Sequence, residues 1–163
     1  MAEDCFNTDI SMGLLKSGLS ETALEGLCRE AVRQKKQYVW VFPNMLGSAL
    51  PILNQAGIGA GTVISYPLGM DCPEVKIAET EDAARRGASQ ICVTLNAGAL
   101  KSGDIHSLVR ELKGCADAAH EKGARMYLLM DMPLISSQQA EDVSILAAGL
   151  GADGIYPAEG WKW

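Results

Sequence analysis

The chain has 163 residues, of which 48% are hydrophobic and 21% are charged, and its formal net charge is -6. This composition is that of one compact globular domain, because a disordered chain has far less apolar content and a membrane protein has an apolar run of about 20 residues. An excess of acidic over basic side chains also argues against a nucleic-acid partner, whose phosphates need cations.

The cysteines and the start of the chain indicate a reduced, unmetallated protein. The five cysteines include no C-x-x-C pair, and no histidine lies at metal-ligand spacing from them. We therefore predict free thiols, no metal site and no cofactor. The acidic start, Met1 to Asp4, does not resemble a secretory signal, so we expect a cytoplasmic protein with no membrane partner.

The first half of the chain is predicted to alternate between helices and strands. Phe6 to Ile10 is a candidate strand, and Ser20 is placed to cap a helix whose apolar residues recur at helical spacing. Three further elements follow from apolar periodicity: a strand at Tyr38 to Phe42, a helix at Asn44 to Gln55 that Pro51 should kink or shorten, and a strand at Thr62 to Tyr66.

The second half continues the alternation. Asp71 and Glu74, on either side of Pro73, predict a capping box for a helix that runs to about Arg86. The remaining elements are a strand at Ile91 to Leu95, a helix from Asp104 to about Gly123, a strand at Met126 to Met130, a helix with a Ser136/Gln139 capping box that runs to about Gly149, and a strand at Gly154 to Tyr156.

This alternation predicts parallel βαβ units and an α/β fold, either doubly wound or a barrel. Chemistry in such folds lies at the carboxyl ends of the strands. The polar or ring-bearing residues at those ends are Asp9, Pro43, Asn44, Tyr66, Asn96, Asp131 and Tyr156. Cys92 lies in the middle of its strand, where we interpret it as a small buried hydrophobe rather than a nucleophile.

Two glycine patterns resemble phosphate-binding loops. Gly149-x-Gly151-x-x-Gly154 matches the dinucleotide fingerprint in its letters. The fingerprint joins a strand to the start of a helix, whereas these glycines end a helix and begin a strand, so we predict a helix C-cap turn. We make the same prediction for Gly57-x-Gly59-x-Gly61.

The order of several short segments resembles the deoxyribose-phosphate aldolase family. The resemblance covers almost the whole chain and rests on the segments Leu27 to Ala31, Val39 to Pro43, Thr62 to Gly69, Glu74 to Glu79 and Asn96 to Gly103. It implies a (β/α)8 barrel rather than a doubly wound sheet. It also implies an enzyme in which a sixth-strand lysine forms a Schiff base with an aldehyde, helped by a seventh-strand lysine and a fourth-strand aspartate.

The family's catalytic residues are not matched in this chain. By the resemblance, Tyr156 stands where the Schiff-base lysine is expected, Cys92 stands at the aspartate, and Tyr127 stands at a fifth-strand lysine. Asp131 keeps an acidic side chain after the fifth strand. A phenol cannot form an imine, so the resemblance implies an aldolase-like protein without the family's covalent chemistry.

We therefore predict one incomplete domain over residues 1–163, a partial (β/α) barrel of about six parallel strands with strands seven and eight missing. Such an arc has two open edges and an unfilled interior, which needs a cover. We expect a second copy of the chain, a complementing polypeptide or a flattened sheet, with Trp161 and Trp163 as possible anchors. The expected apolar lining of the interior is Val39, Val41, Val63, Ile91, Val93 and Ile155.

The predicted function is that of a catalytically degenerate binding or interaction subunit with a small aldehyde or sugar as ligand. The alternative is an active carbon-carbon lyase of the 2-deoxy-D-ribose 5-phosphate aldolase type, in which the lysines come from a partner chain or from Lys76. The candidate catalytic positions are accordingly Cys92, Tyr156, Asp131 and Lys76.

Overall fold

A computed structural model describes residues 18–158 of the chain. The five strands are β1 (Tyr38–Val41), β2 (Gly59–Ile64), β3 (Gln90–Thr94), β4 (Arg125–Asp131) and β5 (Gly154–Ala158). The helices are α1 (Glu21–Arg33), α2 (Leu46–Gln55), α3 (Pro73–Arg86), α4 (Ala97–Lys101), α5 (Ile105–His120) and α6 (Ser137–Gly149). Two 3-10 turns, Pro43–Met45 and Met132–Leu134, follow β1 and β4.

The strands form one parallel sheet in the order β1-β2-β3-β4-β5. The order never reverses, which excludes the doubly wound alternative, because that fold contains a switch point where the strand order turns back. The predicted partial (β/α) barrel is therefore confirmed. The candidate strand Phe6 to Ile10, including Asp9, and the two terminal tryptophans lie outside the described residues.

The helix caps agree with the sequence at three of four positions. Ser20, Asp104 and Ser136 each accept a backbone N-H through the side chain, and Ser136 completes its capping box with Gln139. The prediction for Asp71 is wrong, because Cys72 is the N-cap of α3 and makes no side-chain cap bond. Pro73, the first residue of α3, has no N-H group, so the helix start has one fewer N-H that needs an acceptor. The Asp71 carboxylate is therefore available for another role.

Helix α2 shows what Pro51 does to the predicted Asn44 to Gln55 helix. The segment begins as a 3-10 turn and becomes α-helical at Leu46, and the helix continues past Pro51 to Gln55. The short helix α4 has no counterpart in the periodicity. Its five residues are too few to show a repeat.

The sheet has two buried faces, and most of the residues expected to line the interior lie on the other face. Val39, Val41, Ile91 and Val93 are buried in the core between the sheet and the helices, and Ile155 packs against that core. The inner face carries a separate cluster of Trp40, Val63, Cys92, Tyr127, Leu129 and Ala158. Strand side chains alternate in direction, so the aliphatic run of each strand divides between both faces.

No helix among residues 18–158 is long and apolar enough to cross a membrane.

Candidate functional site

A pocket of about 270 Å3 lies at the carboxyl ends of β1 and β2. Two of its aromatic walls, Phe42 and Tyr66, meet edge to face with ring centroids 5.8 Å apart. Both rings pack against the inner-face cluster, so the pocket opens beside the interior of the sheet. The lining residues are Phe42, Pro43, Val63, Ser65, Tyr66, Pro67, Leu68, Met70, Asp71 and Glu79.

Ser65 organises the loop between β2 and α3. Its hydroxyl donates to Oδ2 of Asp71 at 2.7 Å, and its backbone N-H donates to Oε2 of Glu79 at 3.1 Å. The backbone of Ser65 has a φ of 54°, a left-handed conformation that a non-glycine residue adopts at a cost of order 1 kcal/mol or more. These bonds hold two carboxylates at the pocket wall.

Gly69 allows this loop to approach β3 closely. Its φ is 66°, and a Cβ atom on it would lie 2.2 Å from the carbonyl oxygen of Leu95. Only glycine fits a position that is both left-handed and pressed against a neighbouring backbone.

The pocket is acidic. Asp71 and Glu79 line it, whereas lysine, arginine and histidine are absent from its lining. Burial raises the pKa of Glu79, the nearby charge of Asp71 raises it further, and the hydrogen bond from the Ser65 N-H opposes both effects. Burial likewise raises the pKa of the Tyr66 phenol.

Two predicted site residues, Cys92 and Tyr156, lie in the inner-face cluster with the pocket aromatics. Cys92 is in register with Val63 on one side and Tyr127 on the other, and Tyr156 is in register with Leu129. The Cys92 side chain is fully buried, and burial strongly raises the pKa of its thiol. The thiol is therefore protonated at neutral pH, as expected for a small buried hydrophobe.

Asp131 and Thr94 add two buried polar atoms to the inner face. Asp131 ends β4 beside Ala158, and its Oδ1 atom has no hydrogen-bond partner in the structure. Thr94 ends β3 with only 2% of its surface exposed, and its Oγ1 is also unpartnered. Asp131 lies two residues after Leu129, and Thr94 lies two residues after Cys92. Because strand side chains alternate in direction, both lie on the inner face with these neighbours.

Sequence reasoning found Asp131 from its position at a strand end but missed Thr94 and the Ser65 network. Threonine is a common strand residue, so nothing in its type marks Thr94 as functional. The available signal was its position two residues after Cys92, which puts both side chains on the same face of the strand. The contact of Ser65 with Glu79 spans 14 residues, and no local pattern predicts it.

Lys76 does not line the pocket described above. Lys76 is fully buried on α3, where its Nζ atom donates to the Thr94 carbonyl at 2.8 Å and pairs with Oε1 of Glu111 at 2.8 Å. Burial raises the pKa of Glu111, while Lys76 and the backbone of Asn96 act against that rise. These contacts of Lys76 therefore connect α3 with α5 and with the end of β3.

The other residues of the predicted ring have different roles. Asn96 caps α4, where its Oδ1 accepts from the backbone N-H of Ala99 at 2.9 Å. Pro43 lines the pocket, and the exposed Asn44 lies in the 3-10 turn after β1. Within residues 18–158, no three histidine, cysteine or acidic side chains come together as a group that could hold a metal.

The two glycine patterns have different outcomes. Gly149 ends α6, Gly151 has a φ of 103° and Gly154 begins β5, which confirms the predicted C-cap turn. In the other pattern, Gly57 forms a turn, but Gly59 and Gly61 lie inside β2. A Cβ atom on Gly61 would lie 2.6 Å from the Trp40 indole, so this glycine makes room for the aromatic ring.

Comparison with known proteins gives a consistent result. No protein-family model matches the chain. The deoxyribose-phosphate aldolase of Exiguobacterium sibiricum is 33% identical over 149 residues, which cover 91% of this chain and 66% of that protein. The chain thus spans about two thirds of the length of this curated relative.

Solved structures show the same fold. A candidate deoxyribose-phosphate aldolase from Coccidioides immitis superposes with a TM-score of 0.84 at 20% identity, over 91% of this chain and 58% of that one. The deoxyribose phosphate aldolase from Aeropyrum pernix, described as tetrameric, gives a TM-score of 0.77 at 22% identity, over 86% of this chain and 58% of that one. These similarities connect the open sheet described above to a larger barrel.

Proposed function

This chain belongs to the deoxyribose-phosphate aldolase family, and we propose that it is a catalytically degenerate member that binds a small aldehyde or sugar without forming an imine. The observation that carries this proposal is the composition of the strands. None of the described strands β1 to β5 contains a lysine, and their only basic residue, Arg125, lies at the amino end of β4. An imine needs a primary amine beside the bound aldehyde.

Tyr156 supports the same proposal. It lies on the inner face of β5, at the position where the family resemblance implies the imine-forming lysine. A phenol can donate or accept a hydrogen bond to a ligand oxygen, but it cannot bond covalently to a carbonyl carbon as an imine. Cys92, at the position expected for an aspartate, is too deeply buried to move protons in a pocket.

The alternative of an active lyase that uses Lys76 has little structural support. The Lys76 ammonium group would have to break its contacts with Glu111 and the Thr94 carbonyl, which would leave the buried Glu111 carboxylate unpaired. Breaking such a pair costs about 3 to 5 kcal/mol. The other form of this alternative is a lysine supplied by a partner chain.

Borohydride trapping tests the proposal directly. The protein is incubated with 2-deoxyribose 5-phosphate and sodium borohydride, and its intact mass is then measured. We expect no adduct, while the Exiguobacterium sibiricum relative, treated in parallel, serves as the comparison for a trapped product. A stable adduct that peptide mapping assigns to any lysine of the chain, above all Lys76, would contradict the proposal.

We also propose that the chain self-associates or pairs with a complementing polypeptide. Among the described strands, β1 and β5 each pair with a single neighbour, so both ends of the described sheet are edges. Proteins usually pair or cover such edges. The tetrameric state described for the Aeropyrum pernix structure supports a homo-oligomer as the first expectation.

A further inference from the structure

We propose that the pocket at the ends of β1 and β2 takes an amine-bearing small molecule, one with a protonated amino group, rather than a phosphorylated sugar. This inference rests on the proposed binding function and specifies the class of ligand. It draws on the charge of the pocket, on its aromatic walls and on one unpartnered hydroxyl, that of Thr94, next to the pocket residue Ser65.

The charge of the pocket favours a cation. Asp71 is exposed at the wall and Glu79 is half-buried beside it, and no basic side chain lines the pocket. Lys76, one helical turn before Glu79, is committed to its ion pair with Glu111. A phosphate ester would therefore meet two carboxylates and no basic side chain in the lining, whereas an ammonium group would meet two acceptors.

The aromatic walls favour the same ligand. Phe42 and Tyr66 both line the pocket, and a cation within about 6 Å of an aromatic ring face is attracted by the ring quadrupole. A volume of about 270 Å3 lies just below the range of about 300 to 1,000 Å3 typical of small-molecule sites, which limits the ligand to a compact molecule.

The unpartnered Thr94 hydroxyl is an independent indication of a polar ligand. The register of Ile64 with Val93 brings Ser65 of the pocket beside Thr94, whose buried Oγ1 has no partner. A buried hydroxyl without a partner is costly, and its oxygen can accept a hydrogen bond from an ammonium group, which offers three donors.

A matched set of three probes tests the inference: 1-amino-1-deoxysorbitol, sorbitol and sorbitol 6-phosphate. They share one carbon skeleton and differ in charge, and isothermal titration calorimetry on the full chain gives each affinity. We expect the amine to bind at least about fivefold more tightly than sorbitol, and the phosphate to bind more weakly than either. The amine's advantage should shrink as salt is added.

Charge-neutral variants identify the site. The double variant Asp71→Asn with Glu79→Gln keeps the side-chain shapes and should abolish the preference for the amine, so that the amine and sorbitol bind with about equal affinity. The control, Glu81→Gln with Glu141→Gln, removes two exposed charges outside the pocket lining and should leave that preference unchanged. Circular dichroism of both variants confirms that they are folded.

Equal affinities for the amine and sorbitol, tighter binding of the phosphate, binding of none of the three probes, or an equal loss of preference in the control variant would each overturn the inference. None of these results bears on the absence of an imine, which the borohydride trap measures separately. An adduct in the trap would contradict the proposed function whatever the probes show.

Discussion

Cys92 illustrates how a single residue's environment decides its chemistry. It is the inner-face residue of β3 between Val63 and Tyr127, and it has no exposed surface. Burial raises the pKa of its thiol, because a thiolate in an apolar cluster lacks the solvation it has in water. Cys28 and Cys115 are buried in the same way on the helix side, whereas Cys72 is exposed at the start of α3.

We predict that thiol labelling will separate these cysteines. At pH 8, a maleimide or disulfide reagent should modify Cys72 at the rate of an ordinary exposed thiol. Cys28, Cys92 and Cys115 should react only when the protein unfolds, because the reagent needs an accessible thiolate. Peptide mapping after timed quenching measures each site. Native-state labelling of Cys92 within minutes would show that the inner face opens readily.

We predict that placing the residues that the family resemblance implies at two positions will not give strong aldolase activity. Cys92→Asp places a carboxylate in a fully buried position, and an unpaired buried charge is costly. Tyr156→Lys supplies an amine but no second lysine on the described strands to assist it. The double variant should stay at least about 100-fold below the Exiguobacterium sibiricum relative in cleavage of 2-deoxyribose 5-phosphate. The single variant Tyr156→Lys shows the effect of the added amine without that of the buried carboxylate. Activity of the double variant within about tenfold of the relative would refute the prediction.

At the level of elements, the Lys76 and Glu111 pair joins α3, α5 and β3. The lysine also holds the Thr94 carbonyl, and the Asn96 backbone supports the Glu111 carboxylate. An ion pair of this kind need not add net stability, because both charges lose their solvation. Each partner nevertheless needs the other, so the pair fixes how the two helices meet the strand end.

We predict that Lys76→Met will destabilise the protein by about 3 to 5 kcal/mol, because it leaves Glu111 as a buried, unpaired carboxylate. The double variant Lys76→Met with Glu111→Leu should recover much of that loss. The exposed pair of Lys113 and Asp117 provides the control, and Lys113→Ala should cost less than about 1 kcal/mol. Urea denaturation of all four proteins measures the free energies of unfolding.

The effect of Lys76→Met should depend on pH in a defined direction. Burial already raises the pKa of Glu111 above its ordinary value, and loss of the lysine charge raises it further. An acid whose pKa is higher in the folded state contributes stability at low pH and loses it as pH rises through the folded pKa. The variant should therefore be closer to the wild type in stability at pH 5 than at pH 8. The opposite trend would exclude Glu111 as the titrating group.

At the level of the whole molecule, the described sheet is open, and the residues on both of its faces are largely buried. The inner-face cluster is packed and buried, so the driving force for association is not the aliphatic lining expected from the sequence. Within residues 18–158, β1 and β5 are the edge strands and offer pairing surfaces. Exposed apolar side chains at the carboxyl end, including Leu68, Met70 and Leu134, add further surface.

We predict that the protein is not a monomer in solution. Light scattering over a wide concentration range should give the mass of a dimer or larger assembly, with little dependence on salt, because edge pairing and apolar contact are screened little. Co-purification of a second polypeptide would indicate complementation rather than self-association. A monomer with a cooperative thermal transition and no binding of an apolar dye would contradict the prediction.

The sequence by itself determined the order and type of the elements, three helix caps and the family. These depend on local periodicity, capping chemistry and the succession of short motifs, which neighbouring residues carry. The observed strand bounds differ from the predicted ones by up to three residues; for example, β2 begins at Gly59, whereas the predicted strand begins at Thr62. Gly59 and Gly61 appeared as turn residues because glycine is usual in turns, and only the aromatic rings above them explain their place in a strand.

The tertiary structure alone decided which strand residues face inward, where Lys76 lies and how the pocket is built. Val39, Val41, Ile91 and Val93 pack toward the helices because side-chain parity is set by how strands pair, which no single strand reveals. The Asp71 carboxylate accepts a hydrogen bond from the Ser65 hydroxyl, and the Glu79 carboxylate accepts one from the backbone N-H of Ser65. Such contacts join residues distant along the chain, so they exist only once the chain has folded.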